Sequence, residues 1–129
     1  MDTMDYTKIK NRLDRIRGHE LFPEKLLQRV PALYHTEGKG YDATAIIKIF
    51  HPMSSWYWYV VEYDSDKIFY GLVIGHEIEL GYFHRPELEL SELRGLPFER
   101  DLYFEPTSLR EIIEERKKLE PDRSYPEMK

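Results

Sequence analysis

The chain contains no cysteine. Composition alone therefore excludes a disulfide framework, a thiolate zinc site and a cysteine nucleophile. Long hydrophobic runs are missing too. The longest apolar-aromatic stretch is Trp56 to Val61, far short of the roughly 20 residues that a membrane helix needs. The amino terminus carries Asp2 and Asp5 rather than a basic stretch followed by an apolar one, so it does not read as a signal peptide. With no disulfide to form, the expected setting is the cytoplasm. Three motifs are also missing: the glycine-rich G-x-x-x-x-G-K-[ST] loop, a G-x-G-x-x-G turn after a strand, and the G-x-S-x-G elbow. P-loop nucleotide hydrolysis, dinucleotide binding and ordinary α/β-hydrolase chemistry lose their support with them.

Positive charge is outnumbered and unevenly placed. The net charge is −5. Residues 1–35 hold seven basic and five acidic side chains, leaving 12 basic against 19 acidic for residues 36–129. A basic leader thus precedes an acidic body. The body argues against nucleic-acid binding by bulk charge, while the leader permits local phosphate contacts.

What is present suits a globular fold. Hydrophobic residues make up 41% of the 129 positions, and aromatics 14%, with 10 tyrosines. This length fits one hydrophobic core, since chains begin to split into domains at about twice the size. Ile9, Leu13 and Ile16 recur at helical spacing, and the pattern predicts a helix over Tyr6 to Arg17 ended by Gly18. A second short helix is expected after Phe22, opened by Pro23 and stopped by Pro31.

After the Gly38–Gly40 loop the period changes to that of strands. Ala43 to Phe50 reads as one strand, closed by His51-Pro52. In the strand Trp56 to Tyr63, one face carries Trp56, Trp58 and Val60 and the other Tyr57, Tyr59, Val61 and Tyr63. Both faces are apolar or amphipathic, so both should be at least partly covered. Asp64 to Lys67 is a turn and Ile68 to Ile74 its return strand. Ile78 to Phe83 is a further strand, in which Gly81 is expected to make a bulge or a close approach.

Leu88 to Arg94 reads as a helical turn ended by Gly95, and Leu96 to Phe104 as irregular or a short strand. Ser108 and Glu111 have capping-box spacing ahead of Leu109, Ile112 and Ile113, and Pro121 ends that last helix. The expected class is α+β: a small antiparallel aromatic-rich β-sheet with two N-terminal helices and one C-terminal helix.

Four groups of residues could carry chemistry. His76, Glu77, Glu79 and His84 include metal-ligating types. Their spacing matches no helical H-E-x-x-H pattern, so a polar strand edge is the simpler expectation and no metal or cofactor is assigned. Glu77, Glu79, Glu99 and Asp101 could do acid–base work or hold a hard cation if they met in one place. The simpler account of Glu99-Arg100-Asp101 is an arginine paired with a carboxylate. The aromatics Trp56, Tyr57, Trp58, Tyr59, Tyr63, Phe69, Tyr70, Tyr82 and Phe83 could stack bases, but Lys67 is the only basic residue among positions 56–83. Core packing is the better reading. Lys8, Arg12 and Arg15 share a helix face that could meet phosphates or simply face solvent.

Several segments, taken in order, resemble a known family. They are Val30-Pro31-Ala32-Leu33-Tyr34, Trp56-Tyr57-Trp58-Tyr59 with Glu62-Tyr63-Asp64, and Phe69 to Gly75. Glu79-Leu80-Gly81-Tyr82-Phe83 and Leu96-Pro97-Phe98-Glu99-Arg100-Asp101-Leu102 follow. The chain resembles, over roughly residues 30–110, the bacterial domain-of-unknown-function family 2958. That leaves a helical segment over 1–29 and the end of the last helix with a polar tail over 111–129, all within one domain.

The resemblance implies a bacterial protein, often carried by mobile elements, and supplies no catalytic residues. The leading expectation is a non-enzymatic accessory domain that binds another protein. Its surface is expected at the sheet edges, around Glu79, Tyr82 and Phe83 and around Glu99, Arg100 and Asp101. A metal-assisted hydrolase or nuclease, and a DNA-binding protein working through Lys8, Arg12 and Arg15, are the alternatives.

Overall fold

The computed structural model describes residues 2–129. Helix α1 spans Thr3–Arg17 and so begins ahead of the expected Tyr6. Asp2 accounts for the early start. Its carboxylate accepts the Asp5 N–H at 2.9 Å and satisfies a donor that would otherwise be orphaned in the first turn. Gly18 closes the helix with φ 80, donating its N–H to the Asp14 carbonyl. Helix α2 is a single turn, Glu24–Leu27, behind Pro23.

The run expected as one strand over Ala43 to Phe50 is two, β1 (Thr44–Ala45) and β2 (Ile47–Phe50). After them come β3 (Tyr57–Tyr63), β4 (Ile68–Ile74) and β5 (Ile78–His84), then helix α3 (Arg85–Leu90). Short strands β6 (Glu92–Leu93), β7 (Leu96–Pro97), β8 (Glu99–Arg100) and β9 (Thr107–Ser108) precede helix α4 (Leu109–Leu119). The class is the expected α+β, with four α-helices among the described residues rather than three. The principal sheet is antiparallel in the order β5-β4-β3-β2-β8; β1 pairs with β9, and β6 with β7.

The helix expected over Leu88 to Arg94 lies earlier, with Pro86 in its first turn. Gly95 does not end it. Arg94 (φ 54) and Gly95 (φ 80) instead form the two-residue turn between β6 and β7. Positive φ at both central residues is the twist-matched way to close a tight hairpin. A glycine needing positive φ looks the same in sequence whether it caps a helix or turns a hairpin.

The sheet is covered on both sides, as its two apolar faces require. On one side Leu21, Phe22, Leu27 and Val30, with Leu88 of α3, pack on Ile47, Ile49, Val60, Tyr63, Phe69 and Phe83. On the other, Leu109, Ile112 and Ile113 of α4 pack on Tyr59, Val61, Leu72, Ile74 and Ile78. Each such large side chain contributes roughly 1.5–3 kcal/mol when fully removed from water. The serine cap of α4 is formed, with the Ser108 hydroxyl accepting the Glu111 N–H at 3.2 Å.

Side-chain parity along β3 breaks at Val61. Its register against β4 shifts between Val60 and Glu62, so Val60 faces Gly71 while Glu62 faces Tyr70 and Tyr63 faces Phe69. The bulge therefore sits at Val61 and not at Gly81, which pairs in register with Gly71. One extra residue exchanges the faces of everything beyond it. Tyr63, expected beside Tyr57 and Tyr59, joins the opposite core, and Glu62 turns to the α4 side. Gly71 makes room for the bulge, because a Cβ there would run into the Tyr59 carbonyl oxygen.

Candidate functional site: two clefts on one face of the sheet

The displaced Glu62 lines the first cleft. Glu62 is 3% exposed, and its carboxylate accepts three hydrogen bonds. Tyr34 N–H donates to Oε1 at 2.9 Å, Thr36 N–H to Oε2 at 2.7 Å, and the Thr36 hydroxyl to Oε2 at 2.5 Å. Burial pushes the Glu62 carboxyl up, but the donors from Thr36 and Tyr34, helped by nearby His35, hold it below its ordinary value. These bonds fold the segment after Pro31 over the end of β3 and fix Tyr34 at φ 70. For a bulky residue that backbone is strained.

The resulting cleft, about 510 Å³, is lined by Tyr34, Tyr70, Tyr82, Thr36, Glu37, Glu62 and the loop glycines Gly38 and Gly40. The Tyr70 and Tyr82 rings lie 5.2 Å apart between centroids. Burial and the Glu62 charge raise the Tyr70 phenol above its ordinary value. Tyr82 is raised as well, by partial desolvation, by Tyr34, and by Glu62 and Tyr70.

The second cleft, about 500 Å³, lies where β8 joins β2. Its walls include Lys48, Phe50, Tyr57, Glu99, Arg100, Asp101, Leu102 and Tyr103, with Arg17 to His19 from the end of α1. Register explains its arrangement. Glu99 is opposite Phe50 and shares its face, whereas Arg100 is opposite Ile49 and points the other way. There the Arg100 guanidinium donates to the carbonyls of Leu21 and Glu20, both at 3.0 Å. The Arg100 N–H donates to His19 Nε2 at 3.0 Å while His19 Nδ1 faces the Arg17 carbonyl at 3.0 Å. Nε2 must be unprotonated to accept that bond. Burial and the Arg100 charge lower the His19 pKa accordingly.

Lys48 reaches Asp101 at 3.6 Å and stands 5.1 Å from the Tyr57 ring centre. Arg116 of α4 covers the same ring at 4.7 Å. Beyond them Leu102 and Tyr103 project outward, Tyr103 93% exposed.

The residues singled out from the sequence distribute as follows. Tyr82 lines the first cleft, and Glu99, Arg100 and Asp101 the second. Phe83 is buried in the core, and Glu79 is exposed on the outer strand β5. Glu77 and His76 lie exposed in the turn before β5, and His84 ends that strand, 4.0 Å from Glu87. Glu79 and Glu99 occupy opposite edges of a five-stranded sheet. Four strand spacings put them about 19 Å apart.

The four carboxylates therefore do not converge, and the hydrolase alternative loses the arrangement it requires. Among the described residues no group of three or more histidines and carboxylates is placed to hold a metal ion. Nor is any helix among them long and apolar enough to cross a membrane. Lys8, Arg12 and Arg15 are exposed along α1, while Lys10 and Arg17 turn to Asp14, at 2.9 and 3.5 Å.

Sequence reading missed Glu62, Thr36 and Tyr34 in the first cleft and His19, Lys48 and Tyr103 in the second. One signal was available: Glu62 is the lone carboxylate in an otherwise apolar and aromatic strand, and a polar residue on a covered strand is the informative anomaly.

A covered antiparallel sheet with open clefts at its margins makes this a small α+β domain. Residues 21–116, nearly three quarters of the chain, match a family model described as "Protein of unknown function (DUF2958)", and the chain belongs to that family. The match reaches further toward the amino terminus than the resemblance drawn from residues 30–110, taking in α2, and leaves α1 outside it. No curated protein and no solved structure matches the chain.

Proposed function

We propose that this chain is a non-enzymatic accessory domain of the bacterial cytoplasm, carried by a mobile element, that binds another protein through the second cleft. The observation that carries this reading is the pairing of exposure with rigidity at that cleft. Tyr103 is 93% exposed beside exposed Leu102. Behind them Arg100 and Asp101 are fixed by His19, the Leu21 and Glu20 carbonyls and Lys48. An aromatic anchor on a preordered base binds with little loss of freedom, and tyrosine and arginine are over-represented among residues that dominate interface energies.

The test is affinity capture from the natural host with the wild-type chain and with a Leu102→Ala/Tyr103→Ala double variant. One specific protein retained by the first and lost by the second, at equal thermal stability, supports the reading. Equal retention by both, or turnover of a substrate by the purified chain alone, overturns it.

A second reading rests on α1, whose Lys8, Arg12 and Arg15 are exposed on one helix face. It is DNA binding through phosphate contacts. It requires affinity that falls steeply as salt rises, and salt-independent binding would remove it.

A further inference from the structure

The first cleft combines features that the protein-binding reading of the second does not use. Three tyrosines, Tyr34, Tyr70 and Tyr82, share its walls with two carboxylates, Glu37 and Glu62, and no lysine or arginine is among its lining residues. Tyr34 and Tyr82 remain 66% and 55% exposed, so their side chains line an open cleft rather than a closed core. Glu62 is held ionised from behind by Thr36 and Tyr34 and cannot turn outward to pair with a solvent ion. The nearest basic groups of the same loop, His35 and Lys39, stand outside the lining. Three tyrosine rings beside a fixed negative charge, in a space of about 510 Å³, form an environment that attracts a weakly hydrated cation.

We propose that this cleft is a binding site for an organic cation of the ammonium or guanidinium type. Tyr34, Tyr70 and Tyr82 supply the cation–π contacts, and Glu37 and Glu62 the charge. The backbone explains why the tyrosines meet. The Val61 bulge brings Glu62 to the face of Tyr70 and Tyr82, and Glu62 in turn fixes the Tyr34 backbone at the same cleft. A small metal ion is the poorer fit, because Glu62 spends its oxygens on three protein donors. The site is independent of the second cleft and stands or falls separately from it.

The test is titration of the purified chain, followed by NMR of the tyrosine ring protons, with tetramethylammonium, with a lysine- and arginine-containing tripeptide, and with tert-butanol as the uncharged isostere. The cations are expected to shift Tyr34, Tyr70 and Tyr82, and tert-butanol to leave them in place. Tyr82→Ala should weaken binding about tenfold, the scale of one partly desolvated cation–π contact. Tyr82→Phe should retain it, and Glu37→Gln, at an exposed position, should weaken it without unfolding the chain. Tighter binding of the tripeptide than of tetramethylammonium assigns the natural cation to a polypeptide side chain; the reverse order assigns it to a small free amine. An equal response to tert-butanol, no response to either cation, or unchanged binding by Tyr82→Ala overturns the proposal.

Discussion

Glu62 and Thr36 are joined twice, the carboxylate Oε2 accepting both the backbone N–H of Thr36 at 2.7 Å and its hydroxyl at 2.5 Å. The pair ties the loop after Pro31 to the central strand of the sheet. Glu62→Ala would strand the Tyr34 and Thr36 N–H groups without an acceptor, and should cost about 3 kcal/mol in chemical denaturation. The pH dependence follows from the lowered carboxyl. Folded Glu62 ionises more readily than unfolded Glu62, so its contribution is complete above the ordinary value of 4.5 and lost as pH falls through the lower folded value. The stability gap between wild type and Glu62→Gln, measured by thermal unfolding, should therefore be constant near neutrality and close on acidification below about 4.5.

Two glycines that face each other across β4 and β5 should respond oppositely to alanine. At Gly71 a Cβ would meet the backbone of Tyr59, which cannot move without undoing the β3 bulge. Gly71→Ala should cost roughly 3 kcal/mol or more, and would also disturb the Glu62 loop. At Gly81 a Cβ meets nothing within 4 Å. Gly81→Ala should be neutral or slightly stabilising, since alanine has less freedom to lose on folding. Urea unfolding of the two variants decides the matter. Equal effects would remove the account of Gly71 as the residue that admits the bulge.

Those glycines also mark how far the fold could be read from the sequence. Strands β3, β4 and β5, the β3–β4 hairpin, the covering of both sheet faces, the C-terminal cap of α1 and the N-terminal cap of α4 follow from local rules: alternation, turn residues, a serine and a glycine. The bulge does not. Two glycines face each other, and only the three-dimensional approach of Tyr59 to Gly71 decides which one is obligatory. A single-residue offset then rewrites every face assignment beyond Val61, which is why Tyr63, expected beside Tyr57 and Tyr59, lies on the opposite side.

The clefts were illegible for a related reason. Their walls join residues far apart in sequence: His19 with Arg100, and Tyr34 with Tyr82. Tyr82 and Glu99-Arg100-Asp101 were within reach because they lie on short motifs at sheet margins. Their partners could be found only through strand order and register.

A buried charge network fastens α1 to the rest of the domain. Glu89 of α3 is fully buried and binds Arg85 Nε at 3.0 Å and the Tyr6 hydroxyl of α1, while Arg17 of α1 donates to the Glu89 carbonyl at 3.1 Å. Arg85 also donates to the Tyr63 hydroxyl at 2.7 Å. Although burial alone would lower it, the Arg85 pKa is raised by the Glu89 charge and hydrogen bond. Breaking such a pair from one side leaves an uncompensated charge in the interior. Arg85→Met should therefore destabilise by about 3–5 kcal/mol. Tyr6→Phe, which removes one hydroxyl from a carboxylate that keeps its arginine, should cost about 1.5–3 kcal/mol. Hydrogen exchange supplies the sharper check: in Tyr6→Phe the amides of α1 should lose protection before those of β3 and β4.

His19 gives the second cleft a pH response of its own. Its pKa is lowered by burial first and by the Arg100 charge second, and its Nε2 can accept the Arg100 N–H only while neutral. The unfolded chain, near the ordinary 6.5, takes up a proton at a pH where the folded chain does not. Stability linked to His19 is therefore fully present above about 6.5 and declines as pH falls toward the lower folded value. Below that value the ring is protonated in place, the Arg100 N–H loses its acceptor, and the wall carrying Asp101 to Tyr103 loosens. Thermal unfolding from pH 7.5 to 5 should show a decline for wild type that is reduced in His19→Gln, which keeps a side-chain acceptor but cannot titrate. The NMR signal of the Arg100 amide should move over the same range in the wild-type chain and stay fixed in the variant. If His19→Gln declines as steeply as wild type, the acid sensitivity in this range does not belong to His19; it does not belong to Glu62 either, whose contribution is lost only below about 4.5.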